Sequence, residues 1–415
     1  MTKVKGMKKS EFIDQLNKRK LVIRGAGVLA KEFYESYGQV LRISYCTTNY
    51  PEESIDELTR IELDEIYEQK DDYFIIVCVG DYETVCYELI SEGLMPEKDF
   101  SSAKIVAGLI ENKKILLAVG QCELAVTDYI FQHMSIISKQ YVTLYYDEYK
   151  VLGIADKKPL LHCVLEVNAL IEMADYFIYP VNLTYRCEYY NRLLGKVRTD
   201  CCVVGVPLST FEGYWPQDNA KDYYEKSIYY LTPDSLKIRR DMNIEKAFEN
   251  GKNENILQSV LENDFYDDKT VKKCFEKTIK KFEILERKAD VKISEYYKEN
   301  YRSKKLFLDR GHAAPFVLKE YAKRILKSCD IDFELKEIEQ VDLKWYEECH
   351  MEFPIYPSVR AQLNLTDKEK YRFIQNKEIF YLDFEAYIRI IYDYVKKGRM
   401  YLGEEQDEQN SMYSK

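Results

Sequence analysis

Histidine is scarce in this chain: four residues among 415, namely His133, His162, His312 and His350. Chemistry that needs an imidazole therefore has few places to reside. Long apolar runs are missing as well. None approaches the roughly 20 residues that span a bilayer, and the N-terminal MTKVKGMKKSEFIDQLNKRK is basic and polar, without the apolar core of a secretory signal. The expectation is a cytoplasmic protein with no integral membrane segment. Positive charge is in deficit, with 61 Lys and Arg against 71 Asp and Glu and a net charge of -10. That balance disfavours generic nucleic-acid binding, which needs a basic surface. It leaves room for a local basic pocket facing a phosphorylated ligand. The 11 cysteines are too sparse, and odd in number, for a disulfide scaffold. No C-x-x-C pair occurs, so no structural metal is implied, and the adjacent Cys201 and Cys202 read as strand core.

What is present is a repeated alternation of strands and helices, in a length that suits two to three domains. Residues 1–110 read as a small Rossmann-like α/β unit. KLVIR is a strand, followed by a glycine turn and a helix; VLRISYCTT is a second strand; IDELTRIELDEIYEQ is helical; DDYFIIVCVG is a further strand. Parallel neighbours need such crossovers. A second alternation begins at Lys113 with KKILLAVG and continues through YVTLYYDEY, DYFIYPVN and CCVVGVPL. The fold class expected is α/β, two doubly wound parallel-sheet units in series. The second unit, 111–403, carries a large helical insertion over about 217–303, where Val271, Cys274, Phe275, Ile279, Phe282 and Leu285 recur at helical spacing. KLFLDR is expected as one more strand, a last amphipathic helix lies near FEAYIRIIYDYVKKG, and 404–415 reads as a disordered tail.

The first glycine turn, IRGAGVLAKEF, fits G-x-G-x-x-A with Gly25, Gly27 and Ala30. Its setting between strand and helix is that of a dinucleotide fingerprint, in which backbone and helix N-terminus meet a pyrophosphate. The acidic residue that should end the next strand and hold a ribose is missing from SYCTTNY. A tight turn without a nucleotide and a nucleotide site at Gly25 and Gly27 both remain open.

The second turn is more pointed. ILLAVGQCELAV runs from a strand through Gly120 and Gln121 to Cys122 at the head of a helix. The positive end of the helix stabilises a thiolate, and the N–H groups of the turn suit an oxyanion. Packing is the competing reading. Among the histidines, His312 stands out: KLFLDRGHAAPF places it beyond a strand, three residues after Asp309. D-x-x-H on a turn lets the carboxylate orient one ring nitrogen while the other faces a nucleophile. Strand ends of an open parallel sheet share one crevice, so Cys122 and His312 are expected at such ends. Asn182, after DYFIYPV, completes an oxyanion hole or caps a helix, and Arg186 meets a phosphate or solvent.

This order of nucleophile, asparagine and D-x-x-H resembles the SGNH (GDSL-like) hydrolase layout, with Gly120-Gln121-Cys122 in place of the usual serine block. Taken with GVPLSTFEGYWPQ, VKISEYYKENYRSKKLFLDRGHAAPFVLKEYAKRIL and YPSVRAQLNL, the turn VGQCE looks like that of the WcbI-type polysaccharide-biosynthesis family over about 113–365. Glu123 and Ala313 depart from that family's pattern. The resemblance implies an acyl(acetyl)transferase that uses coenzyme A, as acetyl-CoA, to modify a capsular or cell-surface polysaccharide or its precursor. Cys122, His312 and Asp309 would then be catalytic. Gly120, Gln121, Asn182, Arg186 and Arg310 would bind substrate or oxyanion, and Tyr214 and Trp215 would stack on sugar or adenine unless they pack beneath a loop. The alternatives are an SGNH-type carbohydrate esterase and a non-catalytic glycan- or nucleotide-binding protein.

Overall fold

The computed structural model describes residues 8–50, 54–152, 159–181, 186–208, 210–217, 229–231, 237–367, 370–375 and 378–397. The chain forms two compact units. The first takes Met1–Gly205 and Ile325–Glu339, the second Val206–Arg324 and Gln340–Lys415. The tail 404–415 and Asn182 lie outside the described residues, as does the side chain of Arg186.

In the first unit, strands Lys20–Arg24 (β1), Tyr45–Thr47 (β2), Thr59–Arg60 (β3), Tyr73–Val77 (β4) and Phe100–Ser102 (β5) form a parallel sheet in the order β3-β2-β1-β4-β5. That order is the doubly wound one. All five residues of β4 are buried, as a strand covered on both faces requires. The period-two alternation sorts the side chains. Val22, Ile75 and Val77 face a core with Cys86 and Leu89. Leu21, Ile23, Phe74 and Ile76 face the opposite way, into a larger core.

That larger core is shared with a second parallel sheet. Strands Lys114–Gly120 (β6), Tyr141–Asp147 (β7), Tyr176–Pro180 (β8) and Cys202–Val206 (β9) lie in the order β7-β6-β8-β9. Here β6 pairs in parallel with β7 and β8. Ile115, Leu117 and Val119 of β6 and Phe177 of β8 pack in one cluster with Ile23 and Phe74 of the first sheet. The boundary near residue 110 thus separates two sheets, while the compact units part at Gly205.

Three local expectations are corrected. Val40 and Leu41 of the expected second strand close the helix Val28–Leu41, which ends on Arg42 at φ 55, and only Tyr45–Thr47 extends. The stretch expected to be helical from Ile55 first forms the two-residue strand β3 and then only the short helix Leu63–Glu68. KLFLDR is not a strand of a parallel sheet: Phe307 and Ala313 make an isolated antiparallel bridge around a tight turn. Leu306, Phe307 and Leu308 are buried there, so their apolar run reports packing rather than pairing.

The second unit carries the helical segment. Its helices Met242–Glu249, Ile256–Leu261, Asp268–Glu286 and Ser294–Asn300 follow a short hairpin of Tyr229–Leu231 with Lys237–Arg239. Val271, Phe275, Ile279, Phe282 and Leu285 are buried on one face of Asp268–Glu286, as their spacing predicts, with Asp267 capping the helix through Thr270 N. Cys274, on the same helix, is half-buried. A second hairpin, Tyr371–Gln375 with Glu378–Leu382, precedes the helix Phe384–Lys396. Among the described residues, no helix is long and apolar enough to cross a membrane.

Candidate functional site

The thiol turn belongs to the first unit. β6 ends at Gly120, Gln121 serves as N-cap, and Cys122 opens the helix Cys122–Gln132. Gly120 is closely packed: a Cβ there would come within 2.6 Å of Leu124 Cδ1 and 3.2 Å of Pro180 Cδ. Strand, helix and the end of β8 meet closely at this corner, where a side chain would have to displace the tip of Leu124. Cys122 itself is exposed. The helix N-terminus draws negative charge to the sulfur, and the thiol donates to Glu123 Oε2 at 3.5 Å.

The turn is braced from below. Glu148, fully buried, accepts from Gln121 Nε2 at 2.7 Å and from Tyr190 Oη at 2.7 Å. Tyr145 Oη donates to the Gly120 carbonyl at 3.1 Å. Burial, with the negative charge of Asp147, Cys122, Glu123 and Glu148 around it, pushes the Tyr145 hydroxyl far up, so it stays a donor. The side chain of Gln121, expected to face substrate, instead spends its amide on Glu148. Tyr145 and Glu148 are the residues that sequence reasoning missed here. The register of β7 against β6, which sets Asp147 opposite Gly120, is the structural fact that brings them together.

The D-x-x-H pair belongs to the second unit. Asp309 accepts from the backbone N–H of Gly311 at 2.7 Å and of His312 at 3.0 Å, and its carboxylate oxygens lie 2.9 and 2.8 Å from His312 Nδ1. A single carboxylate thus shapes the turn and orients the ring. Burial pushes the Asp309 carboxyl up, but His312, the Gly311 N–H and the Arg239 guanidinium together hold it below the usual carboxylate range. An ionised Asp309 keeps the proton on Nδ1 and leaves Nε2 as the basic nitrogen.

His350 packs against this pair with its ring tilted at 46° to that of His312. Its Nδ1 sits 2.7 Å from the Tyr346 carbonyl, and its ring centroid is 4.1 Å from that of His312. Burial, reinforced by His312, pulls its pKa down to about 4.

Three expected ligand contacts are corrected. Tyr214 and Trp215 are fully buried. Tyr214 Oη donates to the Tyr301 carbonyl at 3.1 Å, and Trp215 Nε1 to the Pro354 carbonyl at 3.1 Å. Both rings are core, and no face is left for a sugar or an adenine. Arg310 is also buried and pairs with Glu212, while its carbonyl accepts from Phe211 N at 2.8 Å. It organises its own loop.

At the first glycine turn, Gly25 adopts φ +127, with the Cys78 carbonyl 2.8 Å from where a Cβ would stand, so only glycine fits. Gly27 caps the helix Val28–Leu41. Beyond β2, where a ribose-binding acid would be expected, Asn49 Oδ1 accepts from Arg24 at 2.8 Å. The polar group at that position is spent within the protein.

A comparison with protein families decides the kinship of one part of the chain. Residues 161–334 match the family described as polysaccharide biosynthesis enzyme WcbI. The resemblance read from the motifs therefore holds over this stretch, which contains Asp309 and His312 and begins after Cys122. Among solved structures, the chain is similar to WcbI itself, described as a novel polysaccharide biosynthesis enzyme. Identity is 16%, coverage is 69% of this chain and 90% of that one, and the TM-score is 0.49. That WcbI structure is of the native protein without the disulfide bond between coenzyme A and one of its cysteines. No curated protein matches the chain.

Proposed function

We propose that the chain is a cytoplasmic acyltransferase that moves an acyl group, in the first instance acetyl, from a coenzyme A thioester to a hydroxyl of a capsular or cell-surface polysaccharide or its precursor. The observation that carries this reading is the Asp309–His312 pair, held at 2.8 Å within the segment that matches the WcbI family. The coenzyme A named for the WcbI structure supports the donor.

In the proposed reaction, Nε2 of His312 takes the proton from an acceptor hydroxyl. The oxygen attacks the thioester carbonyl, the C–S bond breaks, and coenzyme A leaves as a thiolate that recovers the proton from the imidazolium. Asp309 stabilises that imidazolium and fixes its tautomer. Cys122 is proposed as the thiol that either lies against the donor or carries the acyl group transiently, the Glu123 carboxylate accepting its proton at 3.5 Å. The sequence Gly120-Gln121-Cys122 at a helix N-terminus supplies N–H groups suited to an oxyanion.

Calorimetric titration of the folded protein with acetyl-coenzyme A is the test. Saturable heat is expected, and acyl transfer should then require a sugar acceptor. A flat titration overturns the reading, and release of acetate from simple esters without any acceptor would replace it with an esterase.

A further inference from the structure

His350 caps the helix Lys344–Cys349, and its Nδ1 donates to the Tyr346 carbonyl at 2.7 Å. His133 makes the same local bond to Tyr129, at 2.8 Å, at the end of its own helix. Helix capping therefore accounts for one nitrogen of His350. It does not account for where the ring is held.

Tertiary contacts fix that ring beside the D-x-x-H turn. Tyr346 is buried, its ring centroid is 4.4 Å from that of His350, and its hydroxyl donates to the Ala313 carbonyl at 3.0 Å. Phe353 N donates to the Leu308 carbonyl at 2.6 Å, and Leu308 N to the His312 carbonyl at 2.8 Å. Arg372 Nε donates to the His350 carbonyl at 3.3 Å. The segment carrying His350 is thus tied to the turn carrying His312 on both sides of the ring.

With Nδ1 committed, Nε2 is the nitrogen that remains to His350. It has no hydrogen-bond partner among the described residues, and it is not sealed: the residue is only half-buried. Burial, reinforced by His312, keeps the ring neutral at neutral pH, so Nε2 is a bare acceptor. The His312 side chain is 31% exposed, and Asp309 holds its Nδ1, which leaves its Nε2 as the basic nitrogen. With the ring centroids 4.1 Å apart, the two Nε2 atoms lie within reach of one small ligand. A hydroxyl has one proton and donates to one nitrogen only. Two acceptors side by side match two neighbouring hydroxyls.

We propose that His350 Nε2 binds the acyl acceptor directly, accepting a hydrogen bond from the hydroxyl next to the one that His312 deprotonates, so that the sugar must present a vicinal diol. This rests on the reading of His312 as the base in acyl transfer.

Two measurements on the full chain test it, with cis-cyclohexane-1,2-diol and cyclohexanol as probes. The first is nitrogen-15 NMR of the imidazoles in the absence of coenzyme A. The His350 Nε2 signal, identified by its loss in His350→Phe or His350→Gln, is expected to shift on addition of the diol and to stay in place with cyclohexanol. The second is acetyl transfer from acetyl-coenzyme A to the same two probes. In the wild type, kcat/KM should favour the diol by about tenfold or more. In His350→Phe, which keeps a ring against Tyr346, the ratio should collapse to that set by two equivalent hydroxyls. A His350 signal that ignores the diol overturns the proposal. So does a wild-type ratio no larger than that of the variant. A shift with the diol but no acetyl transfer would leave the contact standing and remove the acyl-transfer reading instead.

Discussion

The ring of His350 lies 4.1 Å from that of His312, inclined at 46°, so the two imidazoles cannot both carry a proton cheaply. His350 is the one kept neutral, with its pKa pulled down to about 4 by burial and by His312. Asp309, 2.8 Å from Nδ1 of His312, is placed to stabilise positive charge on that ring and not on the ring of His350.

This arrangement makes folding stability depend on pH in a defined window. The folded pKa of His350 lies below the unfolded value near 6.5, so its contribution is complete above pH 6.5 and is lost as pH falls toward 4. The full loss is roughly 3 kcal/mol. His350→Phe should flatten this slope. Both tryptophans, Trp215 and Trp345, belong to the second unit, so urea melts followed by their fluorescence at pH 7 and pH 5 report on it. An unchanged slope in the variant would assign the acid sensitivity elsewhere.

Asp309→Asn should cut acyl-transfer kcat by roughly 10²–10⁴-fold while leaving KM nearly unchanged, because it removes the acceptor that sets the His312 tautomer. The Gly311 and His312 N–H bonds can still reach the amide oxygen, so the loop should survive. Steady-state kinetics with acetyl-coenzyme A and a sugar acceptor check this, with a thermal melt as the control for folding. An unaltered kcat would mean that His312 needs no orientation.

Cys122 and Cys349 are exposed thiols, and only Cys122 stands at the head of a long helix after a parallel strand. Acetyl-coenzyme A should shield Cys122 from alkylation by iodoacetamide and leave Cys349 reactive. Peptide mass spectrometry reads both sites in one sample. Equal labelling with and without the thioester would remove Cys122 from the donor site.

Trp215→Ala should destabilise the second unit by roughly 3–5 kcal/mol through the cavity it leaves. The Trp215 ring is packed at 5.4 Å from Phe353 and edge-on to Tyr214 at 5.7 Å. Chemical denaturation followed by circular dichroism measures the loss. A folded, equally stable variant with weakened sugar binding would restore the stacking role that burial denies.

The features legible in the sequence are those whose partners lie close along the chain. Asp309 and His312 are three residues apart and bond as the spacing suggests. Cys122 falls at a helix head because an apolar strand, a glycine and an amphipathic run are contiguous. The environment of each was not legible. His350 reaches His312, and Glu148 reaches Gln121, only through tertiary packing that no local pattern records. For Tyr214 and Trp215 the sequence left ligand stacking and core packing open, and burial decides for the core, because their O–H and N–H groups find backbone carbonyls. KLFLDR shows the reverse error: β-favouring residues at a buried turn imitate a strand.

Glu97 offers a test of the first unit alone. It is fully buried, and burial pushes its pKa up to about 8. A raised folded pKa means that its contribution is intact below the unfolded value near 4.5 and is lost as pH climbs through 8. Glu97→Gln should therefore be more stable than wild type above pH 8 and little different at pH 5. Thermal melts at the two values decide it, and a variant no more stable at alkaline pH would show that the carboxylate is better solvated than its burial indicates.

Hydrocarbon from Ile23 and Phe74 is interleaved with that of Leu117 and Phe177. Trimming the gene to the family-matching stretch, 161–334, would keep Phe177 and remove Ile23, Phe74 and Leu117 that cover it, leaving that oily face bare to water. Such fragments should come out of cells as inclusion bodies, and expression trials that keep the opening hundred residues should yield tractable material.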